Sequence, residues 1–207
     1  MPLRTPTATE GFVFPEIPLT MTISELKKEL RRKVRRLKTQ LSPVQRAEAA
    51  KVLADKALAN PDVASAENVL SFWPMPDEID IVSLNLALRN MGKNVYLPIM
   101  VGDDLQFRLF RGVDELIPDP DFGILQPSVD APLLPPEVAL TDNLVILTPG
   151  IAFAPDGRRL GRGKGFYDRS FSDFPKAKRI GVGFSCQLFP DVPTDEGDVP
   201  LDSIILC

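Results

Sequence analysis

The sequence predicts an α/β protein: a three-layer α/β/α unit around a mostly parallel sheet, folded as a single compact domain. Candidate helices and candidate strands alternate along the chain, which is typical of a parallel sheet whose strands are connected by helices. The candidate strands are short, continuous apolar runs, and such runs favour strands that are buried on both faces. The length of 207 residues fits one domain, or at most two small ones.

The composition, with 44% hydrophobic and 25% charged residues, is that of an ordinary globular protein. The formal net charge of −4 gives no indication of nucleic acid or an anionic membrane as a partner, and no apolar run is long enough to span a bilayer. Residues 1–20 contain four prolines and two acids and lack the apolar region of a signal peptide. We therefore expect a flexible extension over residues 1–20 and the α/β domain over residues 21–207.

The first helix is predicted by its start signal and by an apolar stripe. Thr22 and Glu25 have the spacing of a capping box. Apolar residues then recur at steps of three and four positions, as they do along one face of a helix. These residues are Ile23, Leu26, Leu30, Val34, Leu37 and Leu41.

Two further helices follow from similar signals. Ser42 and Pro43 are an N-cap and a first helical residue, and they predict a second helix that runs to about Leu58. A third helix is expected over about residues 80–91, where Gly92 would end it.

Short apolar runs predict the strands of the sheet. Ligands of such sheets bind beyond the carboxyl ends of the strands, so the segments that follow the strands are where a site is expected. Residues 112–142 are rich in Pro and Asp and are expected to be mostly loop, and a further helix is expected near residues 165–174. The predicted strands cover residues 68–73, 94–99, 105–110, 143–149, 179–185 and 203–206.

The chain has no histidine, which excludes His-based triads, histidine general bases and histidine metal ligands. Cys186 and Cys207 are too few for a zinc site and give no disulfide framework, which fits a reducing cytoplasm. Any bound metal should be a hard cation held by oxygen atoms, so Mg²⁺ is expected.

The stretch LGRGKGFYD, residues 160–168, carries three glycines at alternate positions. Arg162 and Phe166 stand where the common phosphate loops of ATPases, kinases and dinucleotide-binding domains require glycine. Alternate glycines still let the backbone approach a ligand with its N–H groups, and the start of a helix favours anions. Arg162 and Lys164 add positive charge, and Asp168 is close enough to share Mg²⁺ with phosphates. A flexible glycine turn with solvated cations is the alternative.

The longer stretch PGIAFAPDGRRLGRGKGFYDR, residues 149–169, closely resembles the signature of the 5-formyltetrahydrofolate cyclo-ligase family, also called methenyltetrahydrofolate synthetase. The resemblance extends, in the family's order, over about residues 22–206. It includes KKELR at 27–31, FWPMPDEIDI at 72–81, GKNVYLPIM at 92–100, DFGILQP at 121–127 and VPTDEGDVPLDSII at 192–205.

The resemblance implies a compact three-layer α/β fold and an ATP-dependent ring closure. In that family ATP phosphorylates the formyl oxygen of 5-formyltetrahydrofolate, and N10 then attacks the activated carbon. Loss of phosphate leaves 5,10-methenyltetrahydrofolate together with ADP and phosphate. Such chemistry requires positioning and charge neutralisation more than a strong base, which agrees with the absence of histidine.

The resemblance also implies site residues. Lys27 and Arg31 share a helix face because they are four residues apart. Arg162 and Lys164 are the catalytic candidates, and would stabilise the phosphoryl group in transfer. For the other cations of the first helix, Arg32, Lys33, Arg35, Arg36 and Lys38, we expect a solvated basic face. The implied nucleotide site consists of Lys27, Lys28, Arg31, Arg159, Leu160, Gly161, Arg162, Gly163, Lys164, Gly165, Phe166 and Tyr167.

Magnesium is implied at Asp168 and Asp198, because two carboxylates with phosphate oxygens and waters form a normal Mg²⁺ shell. Gly197 stands where many members of the family have His. Asp191, Asp195 and Glu196 are expected to be solvated. The implied folate site consists of Trp73, Glu78, Arg162, Gly163, Lys164, Gly165 and Phe166.

Trp73 has an alternative as a core side chain at a strand end. The expected partners of the protein are folate and ATP, without nucleic acid or membrane, and we expect a monomer in the cytoplasm. Two other functions stay open. One is another ATP-dependent phosphotransferase or ligase with a different acceptor, and the other is a folate- or nucleotide-binding module without catalysis.

Overall fold

A computed structural model describes residues 21–120 and 123–207. The extension predicted over residues 1–20 lies outside the described residues, as do the first two residues of DFGILQP. In the described part of the chain the helices are α1 (Ile23–Thr39), α2 (Pro43–Ala59), α3 (Pro61–Ser65), α4 (Val82–Asn90), α5 (Pro136–Ala139) and α6 (Phe166–Ser170). The strands there are β1 (Asn68–Leu70), β2 (Asn94–Val101), β3 (Asp104–Leu109), β4 (Leu116–Pro118), β5 (Leu125–Pro127), β6 (Leu144–Pro149), β7 (Ala152–Phe153), β8 (Arg159–Leu160), β9 (Lys178–Gly183) and β10 (Ser203–Leu206).

The central sheet has the strand order β10–β9–β6–β1–β2–β3. Five of these strands run parallel, and β3 pairs antiparallel with β2 at one edge. Val69 in the middle of β1 is aligned with Val95 of β2 on one side and with Val145 of β6 on the other. The prediction of a mostly parallel sheet is confirmed.

Each face of the sheet is covered by a separate apolar cluster. On one face the helices α2 and α4, through side chains such as Leu53 and Leu84, pack against Val69 and its neighbours in the adjacent strands. On the other face Phe171 and Phe174, which follow α6, pack against Leu70, as do partly buried residues of α5. These two layers of helices and the sheet between them give the predicted α/β/α unit.

Helix α1 packs outside these layers, against the β7–β8 hairpin. Val34 is fully buried there with Ile151 and Leu160 of the hairpin and with Phe189. The hairpin leads directly into the glycine-rich stretch, so this packing places the basic helix beside that loop.

The two long helices begin where the sequence predicts. Thr22 accepts a hydrogen bond from the backbone N–H of Glu25, whose carboxylate accepts the Thr22 N–H at 2.8 Å. Ser42 and Gln45 form a second capping box, with Pro43 as the first helical residue. Both reciprocal caps satisfy N–H groups that the helix itself leaves without acceptors.

The first strand is shorter than predicted, because the chain leaves the sheet at Ser71 instead of Trp73. Ser71 donates through its hydroxyl to the side chain of Asn85 in α4 at 2.6 Å, and Asn85 donates to the carbonyl of Phe72 at 3.0 Å. The backbone N–H of Ser71 still donates to the carbonyl of Tyr96 in β2 at 2.8 Å, and the buried polar contact joins the segment after β1 to α4.

Other differences are local. The expected loop over residues 112–142 contains the two-stranded β4–β5 sheet and the short helix α5. The helix expected near residues 165–174 divides into α6 and a 3-10 turn over Phe171–Asp173. The sequence did not predict α3 or the β7–β8 hairpin. In the described residues no helix combines the length and apolar character needed to cross a membrane.

Candidate active site

A cleft of about 510 Å³ opens beyond the carboxyl ends of β1 and β6. In the sheet β1 lies between β2 and β6. The chain goes from β1 to β2 on one side and from β6 to β9 on the other, so the connections after β1 and β6 run in opposite directions. Such a switch point separates two loops and leaves a crevice for a ligand. The segment after β1, the glycine-rich stretch, α1 and the acidic loop at 195–198 all contribute to the cleft wall.

The glycine-rich stretch forms one wall of the cleft. Gly163 and Gly165 have φ angles of +103° and +69°, which L-residues with side chains rarely adopt. Gly165 is the N-cap of α6. A Cβ atom at Gly163 would lie 3.3 Å from the guanidinium of Arg31, so a larger residue would also press on α1. The loop conformation therefore requires glycine at these positions.

Helix α1 is connected to this loop and to the acidic loop. Arg31 donates from Nε to the carbonyl of Gly161 at 2.9 Å, and burial lowers the pKa of its guanidinium from the ordinary value. Lys27, one turn earlier, donates from Nζ to Asp195 at 2.6 Å and to Asp198 at 2.5 Å. Burial opposes the charge of Lys27, but its hydrogen bonds and attraction to the two carboxylates outweigh burial and raise its pKa.

Arg162 joins the glycine-rich stretch to the segment after β1. It donates to Glu78 Oε1 from Nε at 3.1 Å and from Nη2 at 2.9 Å, and Nη2 also donates to Asp77. Burial lowers the pKa of Arg162, but Asp77 and Glu78 outweigh it and raise that pKa. The carboxylate of Glu78 accepts in addition from the backbone N–H of Met75 at 2.9 Å.

The prediction that Lys38 lies on a solvated basic face is wrong. Its side chain is 2% exposed, and Nζ donates to Asp77 Oδ2 at 2.7 Å. The spacing contained a signal for this position, because residues four and seven apart share a helix face and Lys38 follows the buried Val34 by four. Asp195 is 59% exposed, as expected for a solvated loop, and it also pairs with Lys27, which was not expected.

The Arg159 side chain is more deeply buried than we expect for one that only contacts a phosphate. Its side chain is 4% exposed, and Nη2 donates to Asp168 Oδ1 at 2.9 Å. Its Nε has no hydrogen-bond partner among the described residues. The guanidinium also lies 5.7 Å from the ring centre of Tyr167, whose pKa is raised, by burial first and by the charge of Glu78 second. Arg159 thus holds the carboxylate of Asp168 in the cleft.

Asp168 and Asp198 are brought to the same part of the cleft, since Asp168 Oδ1 also accepts the backbone N–H of Val199 at 3.4 Å. In the described residues Oδ2 of Asp198 accepts from Lys27 and from the Asp195 N–H, and no described residue bonds Oδ2 of Asp168 or Oδ1 of Asp198. One free oxygen on each carboxylate is a donor set that suits Mg²⁺. Within the described residues no cluster of three or more metal-ligating side chains is found.

Another part of the cleft lining is apolar. Trp73 lines it together with Phe72, Met100 and Leu105, and Phe166 reaches it from the glycine-rich stretch. The Trp73 ring also packs at a tilt against Phe110, with 6.4 Å between ring centres. One side of Trp73 thus joins the core and another borders the cleft, and its contact with folate stays a prediction.

Every predicted site residue except Lys28 lines this one cleft. Lys28 is exposed on α1, and Leu160 lines the cleft although its side chain is buried with Val34 of α1. Sequence reasoning missed Asp77, which pairs with Arg162. It also missed Gln126 of β5, which borders the cleft. Asp77 directly precedes Glu78, so the pair of acids was the available signal.

These features define an α/β protein whose ligand cleft lies at the switch point of a parallel sheet and has a cationic, glycine-rich wall. A model of the 5-formyltetrahydrofolate cyclo-ligase family matches residues 23–207. The chain belongs to that family.

Curated relatives support this assignment. The 5-formyltetrahydrofolate cyclo-ligase of Escherichia coli (strain K12) is 31% identical, over 83% of this chain and 95% of that protein. The enzyme of the same name from Haemophilus influenzae is 29% identical, over 88% of this chain and 98% of that protein.

Solved structures share the fold. The 5,10-methenyltetrahydrofolate synthetase of Aquifex aeolicus has a TM-score of 0.74 and 30% identity, over 87% of this chain and 89% of that one. A second 5,10-methenyltetrahydrofolate synthetase, from Mycoplasma pneumoniae, has a TM-score of 0.68 and 22% identity, over 86% and 97% of the two chains, and supports the fold alone.

Proposed function

We propose that this chain converts 5-formyltetrahydrofolate to 5,10-methenyltetrahydrofolate, with ATP and Mg²⁺ as requirements and ADP and phosphate as products. The observation that carries the proposal is the position of Arg162. It extends from the glycine-rich stretch, the proposed nucleotide wall, to Glu78 on the proposed folate wall. A phosphoryl group transferred from one ligand to the other would therefore pass beside this guanidinium.

The nucleotide is assigned to the cationic side of the cleft. Arg31 contacts the glycine-rich loop from α1, and Lys27 lines the cleft one turn earlier beside the acidic loop. The glycine-rich loop itself would offer backbone N–H groups at Gly161, Gly163 and Gly165. Alternate glycines without side chains let phosphate oxygens come close to those groups. Arg159 and Tyr167 support this wall from behind through the contact of the guanidinium with the phenol ring.

The first chemical step is a phosphoryl transfer. The formyl oxygen attacks the terminal phosphorus of ATP, a P–O bond forms, and the P–O bond to ADP breaks. Negative charge on the transferring group would be stabilised by two cations of the cleft lining, Arg162, which Asp77 and Glu78 hold in place, and Lys164. Neither residue needs to gain or lose a proton in this step.

The second step closes the ring. N10 attacks the activated formyl carbon and loses its proton, the C–O bond to the phosphorylated oxygen breaks, and phosphate leaves with that oxygen. Because both reacting atoms belong to one folate molecule, holding its two ends in a reactive geometry supplies much of the rate. Trp73 and Phe166 border the space that would restrict the folate in this way.

The metal is assigned to Asp168 and Asp198, each of which has one carboxylate oxygen that no described residue bonds. Bound there, Mg²⁺ would supply positive charge to the phosphate oxygens of ATP. Arg159 orients Asp168 through Oδ1, and Lys27 orients Asp198 through Oδ2, the carboxylate oxygens that are not assigned to the metal. The pterin is assigned to Glu78, because a carboxylate accepts paired N–H donors.

One assay tests the whole proposal. Purified protein is incubated with ATP, Mg²⁺ and 5-formyltetrahydrofolate, and the methenyl product is followed by its absorbance. Product that requires all three components is the expected result. ATP hydrolysis without a folate product would support a ligase with another acceptor, and binding without turnover would support a non-catalytic module. We also infer a cytoplasmic monomer, which fractionation and light scattering would test.

A further inference from the structure

A chain of charged side chains connects the buried side of α1 to the glycine-rich stretch. Lys38 donates from Nζ to Oδ2 of Asp77 at 2.7 Å, and Arg162 donates to the other oxygen of the same carboxylate. Arg162 continues to Glu78 through two hydrogen bonds. A single carboxylate, that of Asp77, therefore joins a buried ammonium group to a guanidinium in the cleft wall.

Packing alone does not explain the charge of Lys38. Its side chain is 2% exposed, and a buried ammonium group is costly unless a charged partner compensates it. Methionine fills a similar volume without that cost. What the charge adds is its hold on Asp77. Burial raises the pKa of this carboxyl, but the hydrogen bonds and charges of Lys38 and Arg162 outweigh burial and lower it.

Arg162 needs such support because of where it stands. It lies between Gly161 and Gly163 in a loop, and its side chain is 38% exposed, so a free guanidinium there would adopt many rotamers. Two acids restrict it, and each acid has a support of its own. The backbone N–H of Met75 bonds Glu78, and the ammonium of Lys38 bonds Asp77.

We propose that Lys38 is a positioning residue for Arg162: it fixes Asp77, which together with Glu78 holds the guanidinium at the cleft wall. A cation that is already in place loses no free energy to ordering when charge develops beside it. The effect of Lys38 on turnover rests on the proposed function, whereas its effect on the mobility of Arg162 does not.

Trypsin reports on that mobility, because cleavage after Arg162 requires the local backbone to open and the side chain to leave Asp77 and Glu78 and enter the specificity pocket. In Lys38→Met we expect cleavage of the Arg162–Gly163 bond, followed by mass spectrometry, to be severalfold faster than in the wild type. Cleavage after Lys51, in the middle of α2, is the reference for general loosening. An unchanged ratio of the two rates would overturn the proposal, whether or not the protein is active.

Lys93→Met is the matched control. Lys93 is partly buried and donates to the carbonyls of Ala64 and Ala66 at 2.8 and 2.5 Å, outside the cleft. Its loss should lower the melting temperature without a preferential effect on the bond after Arg162.

Turnover supplies the second measurement. We expect Lys38→Met and Asp77→Ala each to lower kcat by about tenfold, with smaller changes in KM, and the double variant to be no slower than Asp77→Ala. Lys38→Arg should restore most of kcat. A wild-type kcat in folded Lys38→Met, or losses that multiply in the double variant, would overturn the proposal.

The experiments distinguish a variant that fails to fold from a wild type that lacks the proposed activity. If Lys38→Met does not fold, Asp77→Asn and Lys38→Arg carry both measurements, because an amide oxygen still accepts a hydrogen bond from the buried ammonium group, whereas Asp77→Ala leaves that group without a partner. If the wild type makes no methenyl product, the proposed function fails, and the trypsin ratio alone decides whether Lys38 positions Arg162.

Discussion

The ammonium group of Lys27 lies 2.5 Å from the carboxylate of Asp198, across 171 positions of the sequence. Asp195 is a second partner of the same ammonium, so the first helix is fastened to the acidic loop beside the cleft. Because the Lys27 side chain is only 10% exposed, salt screens this pair less than a surface pair. The contact determines where the two cations of α1 stand relative to the glycine-rich stretch.

The raised pKa of Lys27 predicts an alkaline limit to the stability that this pair provides. The stabilisation is complete below about pH 10.4, the ordinary pKa of lysine, and is lost as the pH rises through the higher pKa of the folded state. Urea denaturation should give a difference in unfolding free energy between wild type and Lys27→Met that is constant from neutral pH to about pH 10 and then shrinks. The exposed Lys51, changed to Met, is the control, and a difference that persists at the highest pH would contradict the prediction.

Lys164→Ala should lower turnover far more than stability. The side chain is exposed, and no described residue bonds its ammonium group, so its removal should change the unfolding free energy by no more than about 0.5 kcal/mol. Loss of a cation that stabilises the phosphoryl group should lower kcat by about 10²-fold or more. Steady-state kinetics and thermal melts test this beside Lys176→Ala, an exposed lysine outside the cleft. A variant that unfolds while its folded fraction turns over normally would remove Lys164 from the mechanism.

Asp168→Asn should destabilise the fold as well as the site. Arg159 is 4% exposed, so the loss of its carboxylate partner leaves a buried guanidinium without a counter-charge, which costs about 3 kcal/mol. Denaturant unfolding measures that cost. Asp156→Asn serves as the comparison, because the pair it forms with Arg158 is exposed and should contribute much less to stability. Equal losses in the two variants would mean that the Arg159 pair is not effectively buried.

Asp198→Asn should raise the Mg²⁺ requirement while leaving the fold largely intact. Lys27 retains Asp195 as a partner, so the destabilisation should be smaller than in Asp168→Asn. The Mg²⁺ concentration for half-maximal activity should rise by about tenfold or more. Thermal stabilisation by Mg²⁺ in the presence of ATP gives a readout that is independent of activity. Asp191→Asn, four residues before the acidic loop and paired with Arg158, should behave like the wild type. An unchanged Mg²⁺ dependence in Asp198→Asn would remove that residue from the metal site.

Binding of the folate should change the fluorescence of Trp73, which is the one tryptophan of the 207-residue chain. Its ring borders the cleft on the apolar side, so a bound pterin would alter its surroundings. ATP without folate should have a much smaller effect, because the nucleotide is assigned to the cationic wall. Titration with inner-filter correction, checked by equilibrium dialysis, measures both. Stoichiometric folate binding that leaves the emission unchanged would place the pterin elsewhere.

Local signals made much of the fold predictable. The start of α1 was readable from Thr22 and Glu25, because a capping box joins residues only three apart. The contact that joins the segment after β1 to α4 was not readable, because Ser71 and Asn85 are fourteen positions apart and lie on different elements. The β7–β8 hairpin was missed for a related reason, since its two-residue strands are too short to show a period.

The site residues also divide into those that local signals predicted and those that depend on contacts between distant segments. The glycine-rich stretch was found because its residues are consecutive, and the family signature identified its chemistry. The partners of those residues come from distant segments: Arg162 meets Glu78 across 84 positions, and Lys27 meets Asp195 across 168. Nothing in the spacing of a single sequence encodes such contacts. The buried state of Lys38 was accessible in principle, because the helical repeat places it on the face of Val34.

The contact of Lys27 with Asp198 also has a consequence for biosynthesis. A growing polypeptide on a ribosome contains α1 and the glycine-rich stretch well before Asp198 leaves the exit tunnel. Since N-terminal segments emerge first, Lys27 must wait for its carboxylate partners, which follow it by 168 and 171 positions in the chain. An arrested or truncated chain that ends before this loop cannot assemble the cleft. Substrates would therefore protect finished molecules, and not such fragments, from cellular proteases.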